Sequence, residues 1–124
     1  MVTKNKIKIF CFDIDGTICS QTKGDYKNAK PYLKAKKTIN YLYDNGHTII
    51  FFTSRFMNRY KGKKTLIKKY GYTFTKKQLI KWGFKFHKLN MYKPIYDVWI
   101  DDKSFFYKKK WHSRLIKEFC KHHK

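Results

Sequence analysis

The stretch FCFDIDGT, residues 10–17, constrains the fold most, because an apolar run ends there in two carboxylates one residue apart and then a Gly-Thr turn. An apolar run of this length suits a strand entering a buried sheet, with Ile7, Ile9, Cys11 and Phe12 as its expected core residues. Packing alone gives no reason to close such a strand with Asp13 and Asp15. Crowded carboxylates repel unless a cation or a proton lies between them. The alternative is a helix cap followed by a polar turn. A second stretch, YDVWIDD at residues 96–102, repeats the pattern: Val98, Trp99 and Ile100 run into Asp101 and Asp102. Four of the chain's eight acids thus sit at two expected strand ends, in a protein of formal charge +22.

Between these stretches, strand-like and helix-like patterns alternate. Pro31 fits a first helical turn, and Leu33, Ile39 and Leu42 recur at helical spacing before Gly46, which predicts a helix over residues 31–45. HTIIFFT, residues 47–53, reads as a second buried strand ending in Thr53, Ser54 and Arg55. A lysine-rich helix is expected over residues 58–70, stopped by Gly71, and Thr75 with Gln78 matches a capping box opening a short helix closed by Gly83. Phe84, Phe86 and Leu89 suggest a third strand, Asp97–Ile100 a fourth, and Trp111, Leu115 and Phe119 one face of a helix over residues 110–121. Such alternation is the signature of an α/β fold with a parallel sheet covered by helices on both faces. Parallel strands bring their C-terminal ends to one edge, where ligands bind in open α/β sheets. Both acid pairs are expected there, as hard oxygen ligands suited to Mg²⁺.

The chain has 124 residues, the length of one domain (residues 1–124), and shows neither a signal peptide nor an apolar run of bilayer length, so a cytoplasmic protein without a membrane partner is expected. Cys11, Cys19 and Cys120 are odd in number and lack metal or redox spacing, which favours reduced, mostly structural thiols. Of 30 basic residues only Arg55, Arg59 and Arg114 are arginine. Phosphate recognition tends to use the arginine fork, so two readings stand: a functional basic surface that binds nucleic acid, or the composition of an AT-rich genome. His122 and His123 read as solvated tail residues; His47 and His87, at strand starts, have no evident nucleophile near them. Tyr26, Tyr32 and Tyr60 are candidates to line an entrance.

Four loops, taken together, resemble those of the haloacid dehalogenase (HAD) superfamily of phosphotransferases. DIDGT at residues 13–17 matches its first motif, FFTSR at residues 51–55 the second, Lys93 in MYKP the third, and IDD at residues 100–102 the fourth. The spacing of KPIYDVWIDDK is similar to that of small members associated with capsule and surface-polysaccharide biosynthesis. The resemblance implies a Rossmann-like HAD core with minimal or no cap. It implies that Asp13 is the nucleophile, forming an aspartyl-phosphate, and that Asp15 is the general acid and base. Mg²⁺ would be held by Asp13, the Asp15 carbonyl and Asp101, with Asp102 behind them or as the alternative ligand. Thr53, Ser54 and Lys93 would bind the phosphoryl oxygens, and Thr17 matches the phosphatase branch. Arg55 would touch substrate or pair with Asp102.

The implied activity is a Mg²⁺-dependent phosphomonoesterase acting on a small phosphorylated metabolite such as a sugar phosphate. Residues 18–30 allow only a short flap, so an open site is expected, closed for small substrates by a neighbouring subunit in a homo-oligomer. Two alternatives remain: a nucleic-acid 3′- or 5′-end phosphatase, and a catalytically inactive polyanion-binding module.

Overall fold

Three short strands, β1 (Ile9–Phe12), β2 (Thr48–Phe52) and β3 (Lys88–Asn90), pair in parallel in the order β1-β2-β3. The computed structural model of the chain describes residues 6–107 and 110–120. Register sets Phe10 opposite Ile49, Phe12 opposite Phe51 and Phe51 opposite Leu89, so one face of the sheet is an aromatic and branched surface. Helix α1 (Leu33–Asp44) buries Ala35, Ile39 and Leu42, and the last helix, α4 (Trp111–Phe119), buries Trp111 and Leu115. Trp111 lies 5.7 Å from the Phe12 ring and Phe119 5.5 Å from Phe10, which ties α4 to β1. The two strand-start histidines act as backbone acceptors: Lys8 N–H donates to His47 Nδ1 and Ile49 N–H to His87 Nδ1, each at 3.0 Å. The expected tail histidines, His122 and His123, lie outside the described residues.

The structure bears out a mixed α/β architecture with a small parallel sheet, and corrects several local expectations. The helix expected over residues 31–45 spans Leu33–Asp44, with Pro31 in a bridge to Cys19 instead of in the first turn. Gly71 does not stop a helix. A short turn α2 (Lys64–Leu66) runs through a π-helical turn (Ile67–Tyr72) into α3 (Thr73–Trp82), which Gly83 ends at φ +86°. The widened turn passes Gly71 against the Phe56 ring, where a Cβ would sit 2.9 Å from a ring carbon. Thr75 and Gln78 therefore lie inside a continuing helix and form no capping box, and Thr75 is buried.

Two further expectations fail at the outer strand. Ile9 is 70% exposed, and Ile7 and Cys11 are also exposed, so β1 is packed on one face only and helices do not cover both. The fourth strand does not form either. Val98 and Ile100 are 73% and 91% exposed, and residues 97–100 form no strand. The reason is chain length. Only six residues separate Asn90 from Asp97, whereas a parallel strand needs a crossover of about a dozen residues to return to the start of the sheet. Among the described residues no helix is long and apolar enough to cross a membrane.

Candidate active site

Parallel pairing extends past β3 through two backbone bonds, Thr53 N–H to Asn90 O at 3.0 Å and Lys93 N–H to Thr53 O at 3.1 Å. These fix Lys93 at the C-terminal edge of the sheet, where β1 delivers Asp13. Lys93 Nζ stands 3.5 Å from Asp13 Oδ1. The lysine is buried beneath the rings of Tyr96 and Trp99, whose centroids lie 5.0 and 5.4 Å from Nζ. Asp13 remains about one-third exposed, at 36% of its side chain. Desolvation pushes its carboxyl above the ordinary range, against the opposing pull of Lys93, while Asp15 adds to the rise. The site thus offers one accessible carboxylate oxygen donor beside one buried cation.

Asp15 has a different environment. Arg55 Nε donates to Asp15 Oδ2 and Arg55 Nη2 to Oδ1, both at 2.8 Å, forming a fork-to-fork pair. The guanidinium is fully buried; its Nη1 donates to Gln78 Oε1 at 2.7 Å, and its plane lies over the Tyr26 ring at 4.6 Å. Gln78 Nε2 in turn donates to the Tyr26 carbonyl at 2.8 Å, and Phe56 N–H to the Tyr26 hydroxyl at 3.3 Å. Asp15, Arg55, Gln78 and Tyr26 are therefore one hydrogen-bonded unit that also pins the 18–30 flap. Arg55 was expected on substrate or on Asp102; its partner is Asp15, because the turn after β2 directs it inward. Beside the pair, burial and then the Asp15 charge push the Cys19 thiol up to about 12, so that thiol is inert near neutral pH.

Thr53 is buried, and its hydroxyl oxygen accepts from Arg55 N–H at 3.1 Å, leaving the hydroxyl proton to donate elsewhere. Ser54 is half-buried and its carbonyl accepts from Met57 N–H, while Thr17 sits in the turn after Asp15 with its N–H on the Ile14 carbonyl. Asp101 and Asp102 do not join the cluster. Both are exposed, and Asp101 Oδ1 accepts from Lys103 N–H at 3.1 Å, the bond that chiefly holds its carboxyl below the ordinary range.

The donor set expected for Mg²⁺ is accordingly incomplete within one chain. Among the described residues no three His, Cys, Asp or Glu side chains converge as a metal-binding group. Asp13 is paired with Lys93, both oxygens of Asp15 face Arg55, and Asp101 lies in solvent. Of the entrance candidates, Tyr26 and Tyr60 pack against Phe56, at 4.7 and 5.9 Å. The site roles of four residues escape a sequence reading: Gln78 and Tyr26, which hold Arg55, and Tyr96 and Trp99, which cover Lys93. Their roles depend on contacts 23 or more residues apart in the first case, and on the failure of the fourth strand in the second.

No family model matches the chain, and no curated protein matches it. Its fold is similar to that of a crystal structure of a structural-genomics target from Vibrio cholerae, with a TM-score of 0.74 and 21% sequence identity. The likeness covers 90% of this chain and 98% of that one, and extends to the fold alone.

Proposed function

We propose that the protein is a phosphoric monoester hydrolase in which Asp13 attacks phosphorus. The observation that carries this reading is the pairing of a part-exposed, partly desolvated Asp13 with the buried Lys93 at the C-terminal edge of a parallel sheet. Phosphoryl transfer needs an in-line nucleophile and neutralisation of charge on the transferring oxygens, and little else. An Asp13 oxygen forms the new bond to phosphorus as the alkoxide leaves, and water then hydrolyses the acyl phosphate to release inorganic phosphate. Lys93 Nζ, 3.5 Å from the attacking carboxylate, balances the phosphoryl charge, and the Thr53 hydroxyl proton is available to an equatorial oxygen. Asp15 is assigned the proton transfers to the leaving oxygen and from water. Its Oδ1 accepts from both Arg55 and the Cys19 thiol, whereas Oδ2 keeps a lone pair beyond the one Arg55 uses and is the oxygen that carries the proton handed to the leaving group and regained from water. No step is assigned to a metal ion, because the described residues do not bring the expected donor set together.

A small phosphorylated metabolite such as a sugar phosphate is the proposed substrate. A second reading, end-dephosphorylation of nucleic acid, is favoured by the charge of +22 and by a groove of about 620 Å³ between α1 and α4, lined by Lys34, Lys37, Lys117 and His112. The test is a panel of sugar phosphates alongside 3′- and 5′-phosphorylated oligonucleotides, run with the wild type and Asp13→Asn. Phosphate release from sugar phosphates that disappears in Asp13→Asn supports the leading reading; a larger kcat/KM on oligonucleotides selects the second. Turnover undiminished in Asp13→Asn, or none on any member of the panel, overturns both.

A further inference from the structure

We infer that the face formed by residues 59–70 binds single-stranded nucleic acid, with bases stacked on the outer end of an aromatic series and phosphates held by the cations beside it. The inference concerns binding and does not rest on the hydrolase reading above.

Charge is spread unevenly along the chain. Between Asp44 and Asp97 there is no acidic residue. Within that stretch Arg59, Lys61, Lys63, Lys64, Lys68 and Lys69 follow one another closely, and all six are exposed. Among the described residues none of them pairs with a carboxylate; the ion pairs are Asp15 with Arg55, Asp44 with Lys85 and Asp13 with Lys93. Cations crowded in this way repel one another. A polyanion laid across them relieves that repulsion and releases its own counterions.

Lysines alone would suit any polyanion, and the rings narrow the choice. Tyr26, whose ring lies on the Arg55 guanidinium, is 4.7 Å from the Phe56 ring. Phe56 stacks on Tyr60 at 5.9 Å with 13° between the planes, and Tyr60 lies 6.1 Å from Tyr70. Gly71 lets the π-helical turn approach the Phe56 ring closely, and its neighbour Tyr70 thereby reaches Tyr60. The series runs outward: Phe56 is buried, Tyr60 half-buried and Tyr70 48% exposed. A base laid on Tyr70 continues the stack.

Rings and cations interleave along this face. The Arg59 guanidinium stands 4.8 Å from the Phe56 centroid, held there by its Nη2 donating to the Gly24 carbonyl at 2.6 Å, and Lys69 Nζ stands 5.4 Å from the Tyr70 centroid. Stacking surface with a cation next to it is what an unpaired strand needs, because its bases are free to leave one another for a ring while its phosphates stay in reach of the charge. A duplex keeps its bases stacked inside and presents phosphates only, so the rings add nothing to its binding. The groove between α1 and α4 is the rival basic surface. It offers Lys34, Lys37 and Lys117 but no Tyr, Phe or Trp, hence phosphate contacts without stacking. The inner end of the aromatic series is Tyr26, which holds Arg55 against Asp15, so a strand on this face directs one end at the flap. That consequence alone belongs with the oligonucleotide reading.

The test uses the full chain and a fluorescein-labelled oligothymidylate of about a dozen nucleotides with hydroxyls at both ends, so no turnover enters the measurement. Anisotropy titrations at about 0.15 M salt should show the single strand bound more tightly than a duplex of the same length. Tyr70→Ala should weaken the single strand about fivefold or more and leave the duplex within about twofold, whereas Tyr70→Phe should match the wild type. Lys68→Gln/Lys69→Gln should make the slope of log K against log salt shallower by about 1.4, two phosphate contacts at about 0.7 each. Lys34→Gln/Lys37→Gln should leave the preference for strand over duplex unchanged. Photocrosslinking of a bromouridine-substituted strand to the wild type, mapped by mass spectrometry, should place the adduct at Tyr60 or Tyr70 and needs no variant to fold. Equal affinity for strand and duplex, a Tyr70→Ala protein with wild-type circular dichroism and undiminished strand affinity, or adducts confined to the α1–α4 groove overturns the inference. Strand binding on this face without turnover of any phosphate ester supports it and refutes the hydrolase reading separately.

Discussion

Replacing Arg55 with methionine tests the claim that Asp15 depends on its fork. The side chain of Arg55 is fully buried and that of Asp15 only 13% exposed, and two bonds of 2.8 Å join them. Removing one partner of a buried pair leaves an uncompensated charge, at a cost of about 3–5 kcal/mol, whereas removing both is often nearly neutral. Arg55→Met should therefore lose about 4 kcal/mol, a large share of the roughly 5–15 kcal/mol a domain has. At a slope of about 2 kcal/mol per molar urea, the midpoint should fall by about 2 M, followed by tryptophan fluorescence at pH 7. Asp15→Asn alone should also destabilise, by stranding the guanidinium. The double variant Arg55→Met/Asp15→Asn should then recover about 2–3 kcal/mol relative to the sum of the singles, the coupling expected of residues in contact. Arg55→Lys should fall between wild type and methionine, because it keeps the charge and loses the second bond. A loss below about 1 kcal/mol in Arg55→Met, or additive singles, would refute the reasoning.

Two further outcomes follow from the same geometry. Asp13 has a folded-state pKa above its unfolded value, so its contribution to stability is present below the ordinary aspartate range and is lost as pH rises through the elevated value. Asp13→Asn should accordingly melt above the wild type at pH 7, and the gain should vanish once the pH falls below the ordinary aspartate pKa; an equal or lower Tm at pH 7 contradicts this. Gly71→Ala should lose about 1–2 kcal/mol net in urea, because its Cβ meets Phe56 at 2.9 and 3.1 Å and Met91 at 3.3 Å, which outweighs the gain in helix propensity of about 1 kcal/mol. Stabilisation by the alanine would show that the Phe56 ring yields freely.

Local chemistry determined much of this protein from its sequence alone. Branched and aromatic runs mark β1 and β2, helical spacing marks α1 and α4, and Gly83 marks the end of α3, since periodicity and turn residues act over a few positions. The placing of Asp13, Thr53 and Lys93 at one sheet edge also follows from parallel order, because each lies just past a strand. Tertiary structure decided the rest. Arg55 finds Asp15 across 40 positions and Gln78 across 23, distances over which no sequence pattern reports side-chain direction. Gly71, a stop signal by local rules, is overridden by the Phe56 ring that needs its missing Cβ. The fate of Val98–Ile100 depends on where β3 ends: only with Asn90 fixed as its last residue is the return to β1 too short, and an apolar run that reads as a core strand is left in solvent with its two acids.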